Sequence, residues 1–353
     1  MKTVFFVNAL KGSLSTKEIC ALHKFFNFPF VPVSDGGDGF LEAISYAYPN
    51  AKKHFLLVSN ALNKTKKVFY LTVGNTVFLE CAKIAGLAEI LPKDRKVLQA
   101  TSFGIGQALK AAIKTGTKKI YIGLGGVGFN DGGAGCLQAL GYKLLDEKGK
   151  AISLGISGLL KLKKIIPPTD LDLPEIICLS DVENKLFGKY GSAEVYGPQK
   201  GASKKEVVLI DKALQNFQKV INRNLDKKYY GASGALPMSL CGVLGAKIKK
   251  GTNEIFKIIK AENLVKKSNL ILTCEGCLDD QTLYGKVPFE ISKLAKKHKK
   301  KIKIICGKNK LNKNKLLKFK NLEILELRSL AKDDEDSFRN AKKYLRKILS
   351  FNK

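Results

Sequence analysis

Short apolar runs alternate along this chain with longer segments in which apolar residues recur every three or four positions. The short runs are rich in β-branched and aromatic residues, which predicts strands, whereas the longer spacing predicts amphipathic helices. Strands are predicted at Thr3–Val7, Phe28–Val33, Lys67–Val73, Thr76–Glu80, Lys119–Leu124, Ile176–Leu179, Leu270–Cys274, Lys303–Cys306 and Leu322–Leu327. Helices are predicted at Thr16–Phe26, Gly39–Tyr46, Ile105–Thr115, Ala134–Leu140, Lys204–Arg223, Pro288–Lys297 and Asp334–Leu349. Alternation of this kind indicates the α/β class.

The last predicted helix has apolar residues at helical spacing, namely Phe338, Ala341, Leu345 and Ile348. A stripe of this kind buries one face of a helix against other elements. We therefore expect a C-terminal helix docked on a sheet.

Length and composition narrow the class of protein. A chain of 353 residues with 45% hydrophobic and 26% charged residues suits a globular protein with two α/β domains. No apolar run approaches the roughly 20 residues that span a bilayer. The first strand is followed by Asn8 and Lys11, too early for the apolar core of a signal peptide. We expect no membrane association and a cytoplasmic location.

The net charge of +31 raises the alternative of nucleic-acid binding, because dense positive charge attracts phosphate. However, only five of the 62 cationic residues are Arg, the residue that makes bidentate phosphate and base contacts. The Lys residues are also dispersed along the whole chain. This distribution favours a solvated surface that attracts anionic ligands over a specific nucleic-acid site.

Eight Cys without a secretory signal argue against a disulfide framework. Cys274 and Cys277 have the spacing of a redox or zinc pair. A structural zinc site normally needs four ligands, and neither a second Cys pair nor a nearby His follows in sequence. A metal site at this pair is therefore disfavoured.

Five glycine-rich loops follow predicted strands, and most of them open a helix. Ligands of α/β proteins bind at the carboxyl ends of strands, where helix N-termini offer unpaired N–H groups to anions. In the first loop, Ser15 and Glu18 form a capping box, which places Lys11 and Ser13 just before a helix. These two side chains suit a phosphate or a carboxylate, although a surface turn would have the same pattern.

The second loop contains two carboxylates, Asp35 and Asp38, among three glycines. Such a pair suits a general base or a magnesium ligand, because glycine allows the backbone close to a ligand. The alternative is a tight turn in which the Asp side chains cap backbone groups.

The third loop is the richest in glycine and contains a GxGxxG pattern at Gly123, Gly125 and Gly128, with Asp146 about twenty residues further on. That pattern makes a nicotinamide-dependent oxidoreductase a real alternative. The fingerprint requires a helix to open within the glycines, whereas this loop first continues through residues 130–133. Its Asn and Asp, together with a long series of backbone N–H groups, suit nucleotide phosphates and magnesium better.

The fourth loop places Asp181 directly after a strand, which makes it a candidate base or, alternatively, a capping residue. Soon after it, Ser203 and Glu206 form a second capping box, so Lys200 is expected near a helix N-terminus.

The fifth loop runs through residues 275–286 to Pro288, which suits the first turn of a helix. Lys286 would therefore face an anion. No GxxxxGK[ST] loop, GxSxG elbow or HExxH motif is present in the sequence. The recurring combination of Asp, Lys and Gly is typical of phosphoryl transfer, which depends on positioning and charge neutralisation.

Taken in order, several segments resemble motifs of the bacterial glycerate kinase family, the type that phosphorylates glycerate at its 2-hydroxyl. The resemblance covers nearly the whole chain. The segments are 11–15 (KGSLS), 35–39 (DGGDG), 79–80 (LE), 85–87 (AGL), 101–106 (TSFGIG), 130–135 (NDGGAG), 197–202 (GPQKGA) and 275–288 (EGCLDDQTLYGKVP).

The resemblance implies an ATP-dependent kinase acting on glycerate, converting D-glycerate to 2-phosphoglycerate, with ATP and Mg²⁺ as cofactors. It implies two α/β domains, one of them flavodoxin- or Rossmann-like with a parallel sheet, and an active-site cleft between them. We expect the first domain to comprise residues 1–65 and 265–353 and the second to comprise residues 66–264. The expected partners are glycerate and ATP, without a specific nucleic acid or a membrane, and a homodimer is left open.

The resemblance also suggests roles for individual side chains. Either Asp181 or Asp35 would orient the substrate hydroxyl, and Asp38 and Asp131 would lie near magnesium. Lys11 joins the two aspartates as a catalytic candidate. Candidates for binding substrate or phosphate are Ser13, Asn130, Asn184, Lys200, Glu275, Asp279, Gln281 and Lys286.

The chain departs from the family pattern at several positions. Asn8 stands where the family has Asp, Phe129 lies in a segment that the family fills with small residues, and Cys277 stands where the family has Arg. Loss of that Arg removes a partner for a carboxylate or phosphate. A divergent member that binds ligand without turnover is therefore a further alternative to the active kinase and the oxidoreductase.

Overall fold

The structure is a computed structural model that describes residues 2–279, 285–312 and 322–350. Its strands are β1 (Thr3–Val7), β2 (Phe30–Pro32), β3 (Lys52–Ser59), β4 (Thr65–Val73), β5 (Thr76–Glu80), β6 (Lys119–Gly123), β7 (Lys143–Leu145), β8 (Lys164–Ile166), β9 (Glu175–Leu179), β10 (Lys247–Lys249), β11 (Leu270–Leu278), β12 (Lys301–Asn309) and β13 (Leu322–Glu326).

The α-helices of the described part include counterparts of the seven predicted ones and several shorter helices that were not predicted. They are α1 (Thr16–Cys20), α2 (Phe40–Ala47), α3 (Cys81–Ala85), α4 (Phe103–Ile113), α5 (Ala134–Leu140), α6 (Ile156–Leu159), α7 (Ser192–Tyr196), α8 (Lys204–Ile221), α9 (Pro237–Leu240), α10 (Gly251–Ile258), α11 (Ala261–Lys266), α12 (Val287–Lys297), α13 (Asp334–Arg339) and α14 (Ala341–Ser350). Within the described ranges, none of them is long and apolar enough to cross a membrane.

The chain folds into two compact units. The first comprises Met1–Pro49 and Lys250–Lys353, and the second comprises Asn50–Lys249. Both breaks lie about 15 residues before the boundaries drawn from the sequence, at 65/66 and 264/265. The reason is local: β3 pairs with β4 in the second unit, and α10 packs against α2 in the first. The active-site cleft expected between two domains stays a prediction.

The first unit is built on a five-stranded sheet in the order β13-β12-β11-β1-β2, and all of its strand pairs are parallel. A strand that is buried on both faces has a continuous run of apolar residues, which explains why Thr3–Val7 is recognisable from the sequence alone. On one face Phe5 packs edge-on against Phe30, with ring centroids 5.0 Å apart. The mixed α/β class with parallel sheets is thereby confirmed.

Helix α1 begins where the sequence predicts, because Ser15 and Glu18 form the expected capping box. The expected single helix over Asp334–Leu349 is instead two, α13 and α14, separated at Asn340. Asn340 caps α13 through its backbone N–H and ends it. The interruption changes the helical phase, so Phe338 is 55% exposed, whereas Leu345 is buried in the core as predicted. The C-terminal helix that docks on the sheet is α14 alone.

The second unit has a six-stranded mixed sheet in the order β10-β9-β6-β5-β4-β3. Strands β10, β9, β6 and β5 are parallel, whereas β4 and β3 form an antiparallel hairpin edge. Strand β3 was not predicted, because it begins with two exposed Lys and carries only one fully buried residue. Strand β3 is stabilised by its pairing with β4, in which the His54 ring stacks on the Tyr70 ring. Strands β7 and β8 form a separate two-stranded ribbon.

Candidate active site

In the first unit, polar side chains gather at the carboxyl ends of three neighbouring strands. Asn8 follows β1, Asp35 lies three residues after β2, and Glu275 lies within the second half of β11. These strands are adjacent in the order β11-β1-β2 and run parallel, so their carboxyl ends meet at one edge of the sheet. The segments that the sequence places far apart are thereby brought together.

Lys11 and Asp35 form an ion pair at this edge. The Lys11 Nζ lies 3.1 Å from Asp35 Oδ2, and the second carboxylate oxygen of Asp35 accepts from the Gly37 N–H over 3.0 Å. The Lys11 side chain is 55% exposed and that of Asp35 is 18% exposed. Because solvent screens the lysine, the pair contributes little to folding and is free to meet a ligand.

The Lys11–Asp35 ion pair stabilises the charged form of each of its two groups. Burial raises the pKa of Asp35, but the Lys11 charge and the hydrogen bonds from Lys11 and Gly37 outweigh it and leave the pKa lowered. The Asp35 charge in turn raises the pKa of Lys11, against a smaller opposing effect of burial. Asp35 is therefore an anion and Lys11 a cation at neutral pH.

Glu275 is almost fully buried, and its partner is a neutral amide. Asn8 Nδ2 donates to Glu275 Oε2 over 2.9 Å, and the Cys274 thiol donates to the Asn8 carbonyl oxygen over 3.0 Å. Burial raises the pKa of Glu275, opposed by the charges of Lys11 and Lys286. The residue that replaces the family's Asp thus binds directly to the buried carboxylate.

Other predicted residues of this unit lie around that edge in different environments. Asp38 Oδ2 accepts a long hydrogen bond of 3.5 Å from the Thr16 N–H. Lys286 Nζ lies 3.8 Å from Asp279 Oδ1, at the start of α12. The Ser13 hydroxyl donates to the Phe338 carbonyl oxygen over 2.9 Å, a contact within the fold. Gln281, a candidate binding residue, lies outside the described residues.

In the second unit, Asp131 is buried in the loop between β6 and α5 and is surrounded by donors. Its Oδ2 accepts from the Ser102 N–H at 2.8 Å and the Ser102 hydroxyl at 3.0 Å. It also accepts from the Thr101 hydroxyl and the Gly135 N–H, each at 3.2 Å, while Oδ1 accepts from the Gly133 N–H at 3.0 Å. The three bonds from Thr101 and Ser102 join the loop to the start of α4, and the two from Gly133 and Gly135 hold the turn into α5.

Helix α5 begins late because Gly133 occupies its N-cap with φ 86°, a conformation that disfavours residues with a side chain. A Cβ at Gly133 would also meet the Ser239 Cβ at 2.6 Å. The GxGxxG pattern therefore opens no helix. Asp146, which that fingerprint would use for a ribose, instead accepts from the N–H groups of Lys148 and Lys150, each at 2.9 Å.

Asn130 and Lys200 form a buried pair beside Asp131. Lys200 Nζ donates to the Phe129 carbonyl oxygen at 2.6 Å and to Asn130 Oδ1 at 2.5 Å. Burial lowers the pKa of Lys200 to about 7, opposed by the charge of Asp131. The Asn130 Nδ2 is buried and has no hydrogen-bond partner within the described ranges. Lys200 thus bonds to protein groups, and an amide donor is left for something else.

The fourth loop contains a candidate base, Asp181, and an amide that forms hydrogen bonds within the fold, Asn184. Asp181 follows β9 and is partly buried, on the side of the Tyr229 phenol. Asn184 uses both ends of its amide within the fold: Nδ2 donates to the Tyr190 carbonyl oxygen at 2.7 Å, and Oδ1 accepts from the Tyr196 hydroxyl at 2.8 Å. A binding role for the Asn184 side chain is therefore disfavoured.

The donor sets can be tested against magnesium, which typically takes one or two carboxylates together with water and phosphate oxygens. Among the residues that the structure describes, no group of three or more His, Cys, Asp or Glu could hold a metal by itself. Asp131 does not fit, since its oxygens already accept five hydrogen bonds. Asp38 fits better, because its carboxylate lies in a glycine-rich loop and its side chain is partly exposed.

Comparisons with known proteins decide the family. The model of the glycerate kinase family matches residues 3–350. The glycerate 2-kinase of Escherichia coli (strain K12) is 35% identical, over 87% of this chain and 85% of that protein. The glycerate kinase of Bacillus subtilis (strain 168) is 31% identical, over 98% of this chain and 95% of its own.

The chain belongs to the glycerate kinase family. Its fold agrees with a crystal structure of a Salmonella typhimurium LT2 protein described as a candidate glycerate kinase 2, with a TM-score of 0.74 and 30% identity. That match covers 99% of this chain and 98% of the other. Both the resemblance and the two-unit α/β fold predicted from the sequence are thereby confirmed.

Membership of the glycerate kinase family removes the oxidoreductase alternative, as do the late start of α5 and the turn around Asp146. The family match does not by itself say what the departures do. Phe129 is fully buried in the core of the second unit, and its carbonyl oxygen accepts from Lys200. Cys277 lies in β11 opposite Lys308 of β12. Neither side chain disturbs the fold around it.

Sequence reasoning missed Thr101 and Ser102 as members of the site in this glycerate kinase family chain. Both were recognised only as part of a matching segment, without a role. Ser102 bonds twice to Asp131 and also accepts from the Cys136 N–H at 2.9 Å. A Thr-Ser pair shortly before the predicted helix Ile105–Thr115 was the available signal, because a hydroxyl there can accept from an N–H at the helix start, as Thr101 does from Phe103 at 3.2 Å.

Proposed function

We propose that this chain is an ATP-dependent kinase that phosphorylates a hydroxyl of glycerate, converting D-glycerate to 2-phosphoglycerate. The observation that carries the proposal is the Lys11–Asp35 ion pair at the carboxyl ends of β1 and β2. It combines a partly exposed cation for an anionic oxygen with an ionised carboxylate that can accept a hydrogen bond from a substrate hydroxyl. Membership of the glycerate kinase family supports the choice of glycerate.

The chain's own residues would do three things in this reaction. Lys11 and Lys286 hold anionic oxygens of the substrates by charge and hydrogen bonding. Asp35 orients the hydroxyl of the acceptor, with Asp181 as the other candidate for that task. When Mg²⁺ is bound, it neutralises charge that develops on the phosphate oxygens, and Asp38 is the carboxylate that would hold it.

A low pKa makes Asp35 a weak base but a good hydrogen-bond acceptor. That suits phosphoryl transfer, whose transition state is loose and asks more for positioning than for early proton removal. In this proposal the proton of the acceptor hydroxyl passes to the Asp35 carboxylate late, after most of the bond between the transferred phosphoryl group and the leaving oxygen of ADP is broken.

The test is an ADP-release assay with ATP and Mg²⁺ over a panel of short hydroxy-acids. We expect release with D-glycerate, and a product whose phosphate is placed at carbon 2 by nuclear magnetic resonance. Release with a different hydroxy-acid only would keep the kinase and overturn the substrate. Silence across the whole panel, in protein shown to be folded, would favour the alternative of a divergent member that only binds ligand.

The two aspartates can be separated in the same assay. Asp35→Asn and Asp181→Asn each keep the size of the side chain and remove its charge. The variant that loses turnover while still binding substrate carries the orienting role. Undiminished turnover in Asp181→Asn would remove Asp181 as a candidate.

A further inference from the structure

The Asn130 amide donor is one of several buried polar groups of the second unit that have no hydrogen-bond partner in the described part of the chain. Asn130 is fully buried in the loop before α5, and its Oδ1 accepts from Lys200 Nζ at 2.5 Å. Its Nδ2 has no acceptor in the part of the chain that the structure describes. Buried polar groups in folded proteins nearly always have a partner, so a missing one calls for a ligand or a water.

The direction of this amide is set by the chemistry of its neighbour. A lysine ammonium only donates hydrogen bonds, whereas an asparagine amide has one accepting and one donating end. If the Asn130 amide were turned over, its Nδ2 would face the Lys200 ammonium, donor against donor. With Lys200 protonated, the oxygen therefore points at the lysine, as it does in the structure, and the two N–H groups point away from it.

Lys200 is itself held in place by the fold. Its backbone N–H donates to the Gly197 carbonyl oxygen at 2.9 Å, and its side chain is buried. The ammonium bonds to the Phe129 carbonyl oxygen at 2.6 Å as well as to Asn130. Two acceptors on the same loop thus fix the nitrogen from which the amide takes its direction.

The loop that carries Asn130 is clamped on its other side too. Asp131 bonds to the start of α4, and the Gly132 N–H donates to the Gly234 carbonyl oxygen at 3.0 Å. The backbone of Asn130 therefore has little conformational freedom. The remaining variable is the rotation of its side-chain amide, and the hydrogen bond with Lys200 sets that rotation.

We propose that Lys200 is a positioning residue, which turns the Asn130 amide so that its Nδ2 donates to an anionic oxygen of a bound substrate. The identity of that substrate, nucleotide phosphate or glycerate carboxylate, rests on the proposed function, whereas the direction of the amide does not. This changes the role expected from the sequence, in which Lys200 itself holds the phosphate oxygens. Lys200 acts through Asn130 instead.

A double-mutant cycle distinguishes the two roles. Calorimetry would give the Kd values of ADP and of D-glycerate for the wild type, Lys200→Met, Asn130→Ala and the double variant. We expect each single change to weaken one of the two ligands about tenfold, and the double change to do no more than either single change. Losses that multiply would overturn the proposal, because they would mean that Lys200 contacts the ligand directly.

The cycle has a matched control and shows which ligand is bound. Lys204→Met removes an exposed lysine at the start of α8, only four residues from Lys200, and should leave both Kd values unchanged. A loss confined to ADP assigns the donor to a phosphate oxygen, and a loss confined to glycerate assigns it to the carboxylate. Wild-type affinity in both single variants would overturn the proposal.

Two further variants guard against misfolding. Asn130→Asp keeps an oxygen for Lys200 and removes the N–H donors, so it should fold and still lose about tenfold in affinity for the same ligand. Lys200→Arg keeps a buried cation that only donates, and it should bind more tightly than Lys200→Met. Wild-type affinity in a folded Asn130→Asp protein would show that Nδ2 is not the donor.

A spectroscopic measurement tests the amide without any ligand. In protein labelled at Asn, the Nδ2 signals of Asn130 are identified by their loss in Asn130→Ala. We expect Lys200→Met to shift these signals and Lys204→Met to leave them in place. If the wild type binds neither ligand, the proposed function fails while this measurement still decides the role of Lys200; unchanged signals in Lys200→Met would overturn it.

Discussion

Asn8 and Glu275 lie 267 positions apart in the chain, and the Asn8 amide donates a 2.9 Å hydrogen bond to the Glu275 carboxylate. Both residues are buried at the carboxyl ends of adjacent parallel strands, β1 and β11. From the motif that this segment resembles, we expect Asp at this position in the family. The substitution therefore exchanges a second carboxylate for a neutral donor beside a buried acid.

We expect Asn8→Asp to destabilise the protein by about 3 kcal/mol in the absence of a divalent cation, because it places two carboxylates within hydrogen-bonding distance in a buried setting. Mg²⁺ should recover part of that loss, since one ion can bind both groups. The measurement is urea unfolding with and without magnesium chloride.

Asn75→Asp is the matched control, because Asn75 is exposed in the turn between β4 and β5. Its stability should change by less than about 0.5 kcal/mol, with no recovery in Mg²⁺. Equal stability of Asn8→Asp and the wild type without Mg²⁺ would show that Glu275 does not depend on the amide.

The Lys11–Asp35 pair should carry catalysis as a unit. We expect Lys11→Met and Asp35→Asn each to lower kcat/KM about 100-fold, and the double variant to lose little more, because each change removes the partner of the other. Steady-state kinetics with D-glycerate measure this, with Lys17→Met on the exposed face of α1 as the control. Fully multiplicative losses would contradict a joint role.

Asp38 should behave differently from Asp35. If Asp38 holds magnesium, Asp38→Asn should raise the Mg²⁺ concentration that gives half-maximal rate, while Asp35→Asn lowers the rate at every Mg²⁺ concentration. A magnesium titration of the rate measures both effects. Identical titration midpoints in the wild type and Asp38→Asn would remove Asp38 as the ligand.

The Asp131→Asn substitution should lower the stability of the protein strongly, although it keeps the size and shape of the side chain. In Asp131→Asn, an N–H₂ group must face backbone or hydroxyl donors that now bond to carboxylate oxygens, so we expect a loss of about 3 kcal/mol. Asp146→Asn is the matched control, because Asn can still accept from the N–H groups of Lys148 and Lys150. Denaturant unfolding of the two variants should separate them clearly; equal losses would contradict the assignment.

Lys200 should make stability depend on pH. Its pKa is lowered by burial from 10.5 to about 7, opposed by the charge of Asp131, so between these values the unfolded chain binds more protons than the folded one. The contribution of Lys200 to the free energy of unfolding therefore rises with pH, by up to about 1.4 kcal/mol per pH unit between these two values. Below about pH 7 both states are protonated and the cost of the buried charge is fully present.

The measurement compares urea unfolding of the wild type and Lys200→Met at pH 7, 8 and 9. The difference in unfolding free energy should move in favour of the wild type as the pH rises, because other titrating groups are shared and cancel. Lys204→Met should show a constant difference from the wild type. A constant difference for Lys200→Met as well would mean that Lys200 keeps its ordinary pKa in the fold.

Most of the parallel strands were predictable because burial on both faces leaves a continuous apolar run. Thr3–Val7 and Thr76–Glu80 were recognised with the bounds that the structure has. β3 was not, because an edge strand with exposed Lys has no such run and is stabilised by its neighbour. The break at Asn340 was also missed, since one residue that ends a helix through its backbone N–H hardly alters the apolar periodicity.

The candidate site shows the same division. Spacing along the chain selected Asp35, Lys11 and Asp131 as polar residues at the ends of strands. Spacing could not show that Asp131 accepts hydrogen bonds from five donors or that the Ser13 hydroxyl donates to the Phe338 carbonyl oxygen. It also could not show that both ends of the Asn184 amide form hydrogen bonds within the fold. The Thr101 and Ser102 donors to Asp131 and the Phe338 acceptor of Ser13 come from segments distant in sequence, so their positions depend on how the elements pack.

The sequence by itself determined the class, most of the buried strands and the family, because these depend on local periodicity and on an ordered series of motifs. Only the tertiary structure decided which of the candidate side chains bond to other protein groups within the fold. Hydrogen bonds act over about 3 Å, and the strands that bring Asn8 to Glu275 are far apart along the chain. The role of Lys200 follows from such a contact: its ammonium meets Asn130 only because the loops after β6 and α7 pack together.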